Sequence, residues 1–439
     1  MRRRNFLKST SGALIGSAAL SNVTAKSNIS ANDKVSIAMM GVRGRGTWLT
    51  RYFSALPEVD IPYICDVDPS VVGPATEVIE TKKGKTPKLV DDIRYVLDDQ
   101  SIDAVIIATP VFWHSAATIL ACEAGKDVYV EKPVSHNIRE GRLAVEAARR
   151  NDRIVQVGTQ RRSSNGTKRF IDYVQSGKIG RLLMAKIWNV QMRSNIGHKS
   201  DEPVPADINY DNWTGPVTML PFNRNRFHYK YNWNWHYGAG DIANDGSHWL
   251  DLGLWALDLG HPLEVSGMGR KLFFDDDQET PDTQNATYKY KDKVLMYEQR
   301  LWNPYMMDNS QCGIAVYGTE GYATFSDDNG NTFKVFDQKG KLAHLEFEAS
   351  ESKWTPWELN GESHYQNFIN CIRSRQKPNA DIEVGHMAAS LCHLGNIVAR
   401  TGRTIHFDST TETITGDADA NRLVSGNYRK HWSSELLIS

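Results

Sequence analysis

Val35-Ser36-Ile37-Ala38-Met39-Met40 runs directly into Gly41-Val42-Arg43-Gly44-Arg45-Gly46, after which Trp48, Leu49, Tyr52, Phe53 and Leu56 recur at helical spacing. A short apolar run closed by glycines reads as a buried parallel strand, and the periodic stretch as a helix packed on it. Strand, glycine-rich turn and helix is the context that a dinucleotide fingerprint requires. The first glycine makes the tight turn and the last lets the helix pack close to the strand. The helix amino terminus faces the pyrophosphate. The middle glycine of the fingerprint is replaced by Arg43, which leaves two arrangements open. Either Gly44 admits the phosphates in a shifted turn, or the Arg43 side chain points away. Gly41, Arg43, Gly44, Arg45 and Gly46 form the expected cofactor loop.

Working outward, Ile61-Pro62-Tyr63-Ile64-Cys65 is a second strand that ends at Asp66, about twenty residues beyond the glycines. A carboxylate there accepts hydrogen bonds from the adenosine ribose and repels a 2′-phosphate, which favours NAD over NADP. Asp68 is the rival, although an aspartate before Pro69 also forms turns. Residues 102–108 form a further buried strand ending in Thr109-Pro110, followed by His114 at a helix start. His114 is either a cofactor neighbour or a first-turn helix residue. Asp127-Val128-Tyr129-Val130 delivers Glu131-Lys132-Pro133, and the strand 154–158 leads to Thr159-Gln160-Arg161-Arg162. Alternating strands and helices at this spacing predict a doubly wound parallel sheet, a Rossmann domain over residues 35–160.

From Leu182 short strands separated by Asn, Asp and Gly turns predict an α/β domain with a large, mostly antiparallel open sheet over residues 161–407. The loop from Ser194 to Asn234 is long and aromatic, a mark of function. Gly238-Ala239-Gly240 then opens a helix. If it begins by Asn244, then Asn244, His248, Asp251 and Trp255 share one stripe, which reads as an active-site face. The alternative is a histidine satisfied by a capping bond. Residues 408–439 read as a mostly irregular tail.

Length supports two domains. The net charge of −1 points to neither nucleic acid nor a membrane surface. No apolar run is long enough to span a bilayer. The five cysteines are scattered without a CxxC, so neither a disulfide framework nor a metal site is expected, only buried thiols. Residues 1–25 carry Arg3-Arg4-Asn5-Phe6-Leu7-Lys8, a short apolar run and Val23-Thr24-Ala25. They resemble a twin-arginine signal that exports a folded, cofactor-loaded protein to the periplasm, with 26–34 as a linker.

The residues quoted above, with Gly318-Thr319-Glu320-Gly321, resemble the Gfo/Idh/MocA family of sugar and cyclitol oxidoreductases. The resemblance covers nearly the whole chain after the signal. It implies homo-oligomers built through the second sheet, and a sugar or cyclitol substrate. It also implies that Lys132 is the active-site lysine and His248 the acid/base histidine. Asp66, Thr109, Pro110, His114, Glu131, Lys132 and Gln160 would surround NAD. The family commonly has an aspartate four residues before the histidine. That position is Asn244, an amide that accepts no proton at working pH, and Asp245 one residue on would point elsewhere on a continuous helix. Asn244 is therefore expected to orient substrate, with Arg161, Trp233, Trp235, His236, Tyr237 and Asp245 around it.

Oxidation of a secondary hydroxyl by tightly held NAD is the expected activity. An NAD-dependent glycosidase, which oxidises the sugar transiently, eliminates the leaving group and returns the hydride, is a rival on the same scaffold. The second rival is a sugar-binding protein with structural NAD.

Overall fold

The computed structural model describes residues 34–302, 305–326, 332–346, 358–359 and 362–430. The expected export signal, and all of the expected linker but Lys34, lie outside them.

The opening stretch forms strand β1 (Val35–Met40), buried at five of its six positions, followed by helix α1 (Arg45–Ala55). The alternation continues through β2 (Val59–Cys65), α2 (Gly73–Lys83), β3 (Lys88–Val90), α3 (Arg94–Leu97) and β4 (Ala104–Ile107). It closes with α4 (Val111–Glu123), β5 (Asp127–Val130), α5 (Ile138–Arg150) and β6 (Val155–Val157). The six strands pair in parallel in the order β3-β2-β1-β4-β5-β6. Strand order reverses between β1 and β4, and an open sheet offers its binding crevice at the carboxyl ends flanking such a reversal. The central strands are continuous apolar runs because helices cover both faces. Strand β3 is at the edge and largely exposed, so it carries no such run.

The second domain comprises α6 (Asn165–Gln175), β7 (Leu182–Val190), α7 (Tyr210–Thr214), α8 (Gly240–Asn244) and α9 (Gly246–Leu257). Strands β8 (Glu264–Arg270), β9 (Thr283–Lys289), β10 (Val294–Arg300), β11 (Cys312–Gly318), β12 (Gly321–Ser326), β13 (Thr332–Asp337) and β14 (Leu342–Glu346) follow. After a two-residue pair, β15 (Glu358–Leu359) with β16 (Glu362–Ser363), come α10 (His364–Ser374), α11 (Ile382–Thr401), β17 (Ile405–Asp408), β18 (Thr413–Thr415) and α12 (Ala418–Asn421). Ten strands form one sheet in the order β14-β13-β12-β11-β7-β10-β9-β8-β17-β18. Only the β7–β10 pair is parallel. Helices α9 and α11 bury Leu250, Leu254, Leu391 and Leu394 against its inner face.

Two features depart from the sequence reading. The helix expected to run through Asn244 is two helices, α8 and α9, broken at Asp245. Gly246 begins the second, where a Cβ would sit 2.6 Å from the Tyr297 hydroxyl on β10. Within the expected irregular tail, the described residues add the short β18 and α12. Helix α10 returns to the first domain, where Tyr365, Phe368 and Ile369 pack with Phe53 and Tyr129. All five cysteines are free, four of them buried and Cys312 half-buried. Among the described residues no helix is long and apolar enough to cross a membrane.

Candidate active site

A cavity of about 420 Å³ opens at the strand-order reversal and is walled by both domains. Its floor is the glycine loop. Gly41 has φ +79°, and a Cβ there would lie 2.9 Å from the Ala108 carbonyl. At Gly46 a Cβ would lie 1.9 Å from the Gly41 oxygen, so only glycine lets α1 start this close to the turn. Gly44 takes the left-handed φ of +46° with open space around it, and the Arg43 side chain is exposed. Arg45 turns from the loop to Glu131 at the end of β5 (Nε to Oε1, 2.7 Å). It thus ties the loop to the sheet.

Asp66 accepts from Val42 N through Oδ2 (2.8 Å) and from Asp68 N through Oδ1 (3.1 Å). Burial pushes its carboxyl up against these donors. Asp68 caps the turn at Pro69 by accepting from Ser70 N (2.9 Å), and it also meets His228 Nε2 at 3.0 Å. Asp68 is therefore committed, and Asp66 is the carboxylate placed for a ribose. Thr109 Oγ1 and His248 Nδ1 are buried without a hydrogen-bond partner, and both residues line the cavity. Bare glycine backbone, a carboxylate after β2 and an orphaned hydroxyl after β4 fit a dinucleotide.

His114 has Nδ1 2.6 Å from Pro133 O and Nε2 2.9 Å from Thr109 O, and its neutral ring donates to one of these two carbonyls. It lines the cavity as a staple between the ends of β4 and β5, and burial pushes its imidazole down. Glu131 is fully enclosed. Burial works to raise its carboxyl, but Arg45 and Lys132 outweigh it and hold it ionised. Gln160 Nε2 donates to it at 3.3 Å. Gly158 leaves the space it fills, since a Cβ there would meet the carboxylate at 2.7 Å.

Lys132 Nζ donates to both oxygens of Asn244, the backbone O at 2.6 Å and Oδ1 at 3.1 Å. An ammonium has three donors, so one remains for a ligand. Asn244 Nδ2 donates to the Tyr229 hydroxyl at 3.1 Å, which orients the amide. His248 stands on the first turn of α9 and lines the same cavity. Burial, then the Lys132 ammonium, pushes its imidazole well below the usual 6.5, so it is a neutral base at neutral pH.

Behind this pair lies a polar network with no counterpart in the sequence reading. Buried Asp241 accepts from Asn189 Nδ2 (2.8 Å) and Arg193 (2.8 Å), while Gln191 Nε2 donates to Asp245 (2.6 Å). Arg193 also bridges to Asp245. Burial raises the Asp245 carboxyl, yet Arg193 and Lys132 outweigh it and hold it at about 2. Burial keeps Asp241 above the usual carboxylate range.

Several residues expected around the substrate are placed elsewhere. Tyr237 is fully buried between Phe112 and Trp213, its hydroxyl accepting from Leu220 N at 2.9 Å. Trp233 packs in a small core with Ile196, Phe274 and Leu301. Trp235 lies under Arg400, and His236 Nε2 meets Thr218 O at 2.6 Å. Arg161 is buried over Trp249, with the guanidinium 4.0 Å from the ring centre. Asp245 faces Gln191 and Arg193 rather than the cavity. Asp251 and Trp255 belong to a buried ion pair and stacking contact with Arg162, not to an active-site stripe. The aromatic lining comes instead from Trp113, Trp213, Tyr229 and Tyr231. Trp113 stands on the first turn of α4, while Trp213 on the short helix α7 and Tyr229 and Tyr231 on a 3-10 turn at 228–233 come from pieces with no apolar period to read.

One group of potential cation ligands exists among the described residues, away from this cavity: His261, His386 and Glu412. Arg142 already pairs with Glu412 at 2.6 Å, which makes the group an ion-pair staple between α5, α11 and the β17–β18 turn.

Comparison with known proteins agrees with this geometry. Residues 35–159 match the profile described as "Oxidoreductase family, NAD-binding Rossmann fold", and residues 184–434 match "Oxidoreductase family, C-terminal alpha/beta domain". Among curated proteins, the chain is 27% identical over 205 residues to an alpha-N-acetylgalactosaminidase of Shewanella oneidensis, covering 42% of this chain and 44% of that protein. It is 29% identical over 166 residues to the uncharacterized oxidoreductase YrbE of Bacillus subtilis, covering 38% and 44%. The chain thus spans less than half the length of these relatives. Among solved structures, the fold resembles a levoglucosan dehydrogenase in complex with NADH and levoglucosan (TM-score 0.63, 17% identity, 85% of this chain and 99% of that one). It also resembles the WlbA dehydrogenase of Bordetella pertussis in complex with NADH and UDP-GlcNAcA (TM-score 0.60, 20% identity, 85% and 99%). NAD is the cofactor. Both matched regions coincide with the two sheets and meet at the cavity that holds Lys132 and His248, and the chain belongs to the Gfo/Idh/MocA family of NAD-binding oxidoreductases.

Proposed function

We propose that the protein oxidises a secondary hydroxyl of a sugar, glycoside or cyclitol with an NAD that it holds tightly. The observation that supports this most is the Lys132 ammonium, fixed by both oxygens of Asn244 beside the neutral imidazole of His248. Bound NAD supplies the hydride acceptor. Lys132 donates its remaining hydrogen bond to the reacting oxygen and stabilises charge that develops there. His248 accepts the hydroxyl proton, while Tyr229 and Tyr231 cover the apolar face of the ring and exclude water. Asn244 is thus a positioning residue for the lysine and does not replace the carboxylate as a base.

The glycosidase relative supports a second reading, in which the same proton and hydride removal is reversed after a leaving group departs. The test is to purify the full protein, extract and identify co-purifying NAD, and expose it to a panel of sugars, cyclitols and glycosides. Net oxidation predicts reduced nicotinamide or a second reduced product. The glycosidase predicts released aglycone, no net reduction and solvent deuterium in the released sugar. Bound NAD that no member of the panel reduces would instead favour a non-catalytic sugar-binding protein. Because the base is depressed, kcat/KM should stay level through pH 6.5 and fall only well below it; an acid limb centred at or above 6.5 would count against His248.

We also propose export by the twin-arginine route to the periplasm, supported by residues 1–25. Assembly into homo-oligomers through the large sheet is supported by exposed Met268 on β8 and Leu342 and Leu345 on β14.

A further inference from the structure

The second domain does not only face the substrate end of the cavity; it also crosses the adenosine end. Asn209 N donates to Val67 O just beyond β2 (3.1 Å), and Asn209 Nδ2 donates to Asp91 Oδ2 just beyond β3 (2.7 Å). Asn212 Nδ2 donates to Asp91 O (2.9 Å). Trp113 Nε1, on the first turn of α4 beyond β4, donates to Trp213 O (3.0 Å). His228 Nε2 reaches Asp68 Oδ2 at 3.0 Å. The landing points are the carboxyl ends of successive strands, the line along which an open parallel sheet binds a dinucleotide. From outside, the segment is held by the end of the described chain. Arg429 N donates to Pro216 O (2.7 Å), and Arg429 NH1 donates to Thr214 Oγ1 (2.7 Å). Tyr428, paired with Val217, donates its hydroxyl to Glu140 on α5 at 2.6 Å.

We propose that residues 209–228 are a strap that closes the adenosine end of the cleft and keeps NAD bound through repeated turnovers. The substrate end stays open. NAD leaves only when the whole set of contacts to Val67, Asp68, Asp91 and Trp113 releases together, whereas sugars exchange at the Lys132 end without disturbing it. A cofactor held in this way must be returned to its starting state in place, by giving its hydride back to the same sugar or to a second one. The proposal rests on the reading of this cleft as the NAD site and deepens it.

The test exploits Asn209, whose Oδ1 caps α7 by accepting from Asn212 N at 3.1 Å while its amide nitrogen serves the strap. N209D keeps the capping oxygen and sets a carboxylate against that of Asp91. Exchange of bound NAD for isotope-labelled NAD is followed on the full-length protein by rapid gel filtration, with no turnover required. Wild type should exchange over hours, N209D at least tenfold faster, and N209D with D91N, which restores a donor opposite an acceptor, should return to near the wild-type rate. Exchange in seconds by wild type, an N209D rate equal to wild type, or failure of D91N to restore it would each overturn the strap. Failure to bind NAD at all would sink the underlying assignment of the cleft; loss of sugar oxidation with exchange behaving as described would leave the strap standing.

Discussion

Lys132→Ala should lower single-turnover reduction of bound NAD by about 10²–10⁴-fold, the range that a positioned proton-transfer group contributes. The NAD content of the purified protein should remain as in wild type. The variant removes the Nζ that donates 2.6 and 3.1 Å bonds to Asn244, but none of the glycine-loop, Asp66 or Thr109 contacts. The backbone oxygen and Oδ1 of Asn244 left behind belong to a cavity-lining residue, where a water can take their bonds, so the protein should melt close to the wild type. Turnover that survives at more than a tenth of the wild-type rate would remove Lys132 from the reaction. Parallel loss of NAD would instead make it a cofactor residue alone.

The largest stability effect should come from a residue remote from hydride chemistry. Arg162 holds Asp251 through three contacts of 2.7–2.9 Å, and the aspartate side chain is fully buried. Removing one partner of a buried pair costs about 3–5 kcal/mol, because the survivor is left charged without compensation. Arg162→Met should lose about that much in urea unfolding at pH 8. Burial already pushes the Asp251 carboxyl upward, opposed by Arg162, so without the arginine it rises further. A raised folded-state pKa adds stability as pH falls, so the deficit should shrink towards pH 5, where Asp251 takes a proton and no longer needs a partner. A deficit that stays constant between pH 5 and 8 would argue that the loss is packing over Trp255 and not charge.

What the chain reveals without coordinates follows how local each determinant is. Gly41, Gly46, Asp66 and Glu131-Lys132 are legible because a buried parallel strand announces itself in four to six consecutive residues, and the chemistry sits at its end. Strand β3 escapes because Lys88-Leu89-Val90 is short, exposed and at an edge. The break between α8 and α9 escapes because what packs against Gly246 at the start of α9 is Tyr297 on β10, far along the chain. The same distance effect misdirects the aromatic assignments: Trp233, Trp235 and Tyr237 sit beside the His248 helix in sequence but turn into packing, while Trp213 and Tyr231 reach the cavity from farther away. Asp241 and Arg193 are invisible for a related reason, since nothing local distinguishes a buried ion pair from a surface one.

Helix α10 carries a consequence for how the molecule is made. Tyr365 stacks on Tyr52 at 4.6 Å and completes the core beneath β1 and β5, and Arg429 clasps the segment that crosses the adenosine end. The six strands of the parallel sheet and the helices α1 and α2 on this face all precede α10 in the chain, so the corner beside Phe53 and Tyr129 stays open until α10 is added. That part of the nucleotide domain closes only once α10 is in place. A chain cut before Arg429, which holds that segment through Thr214, should therefore retain less NAD.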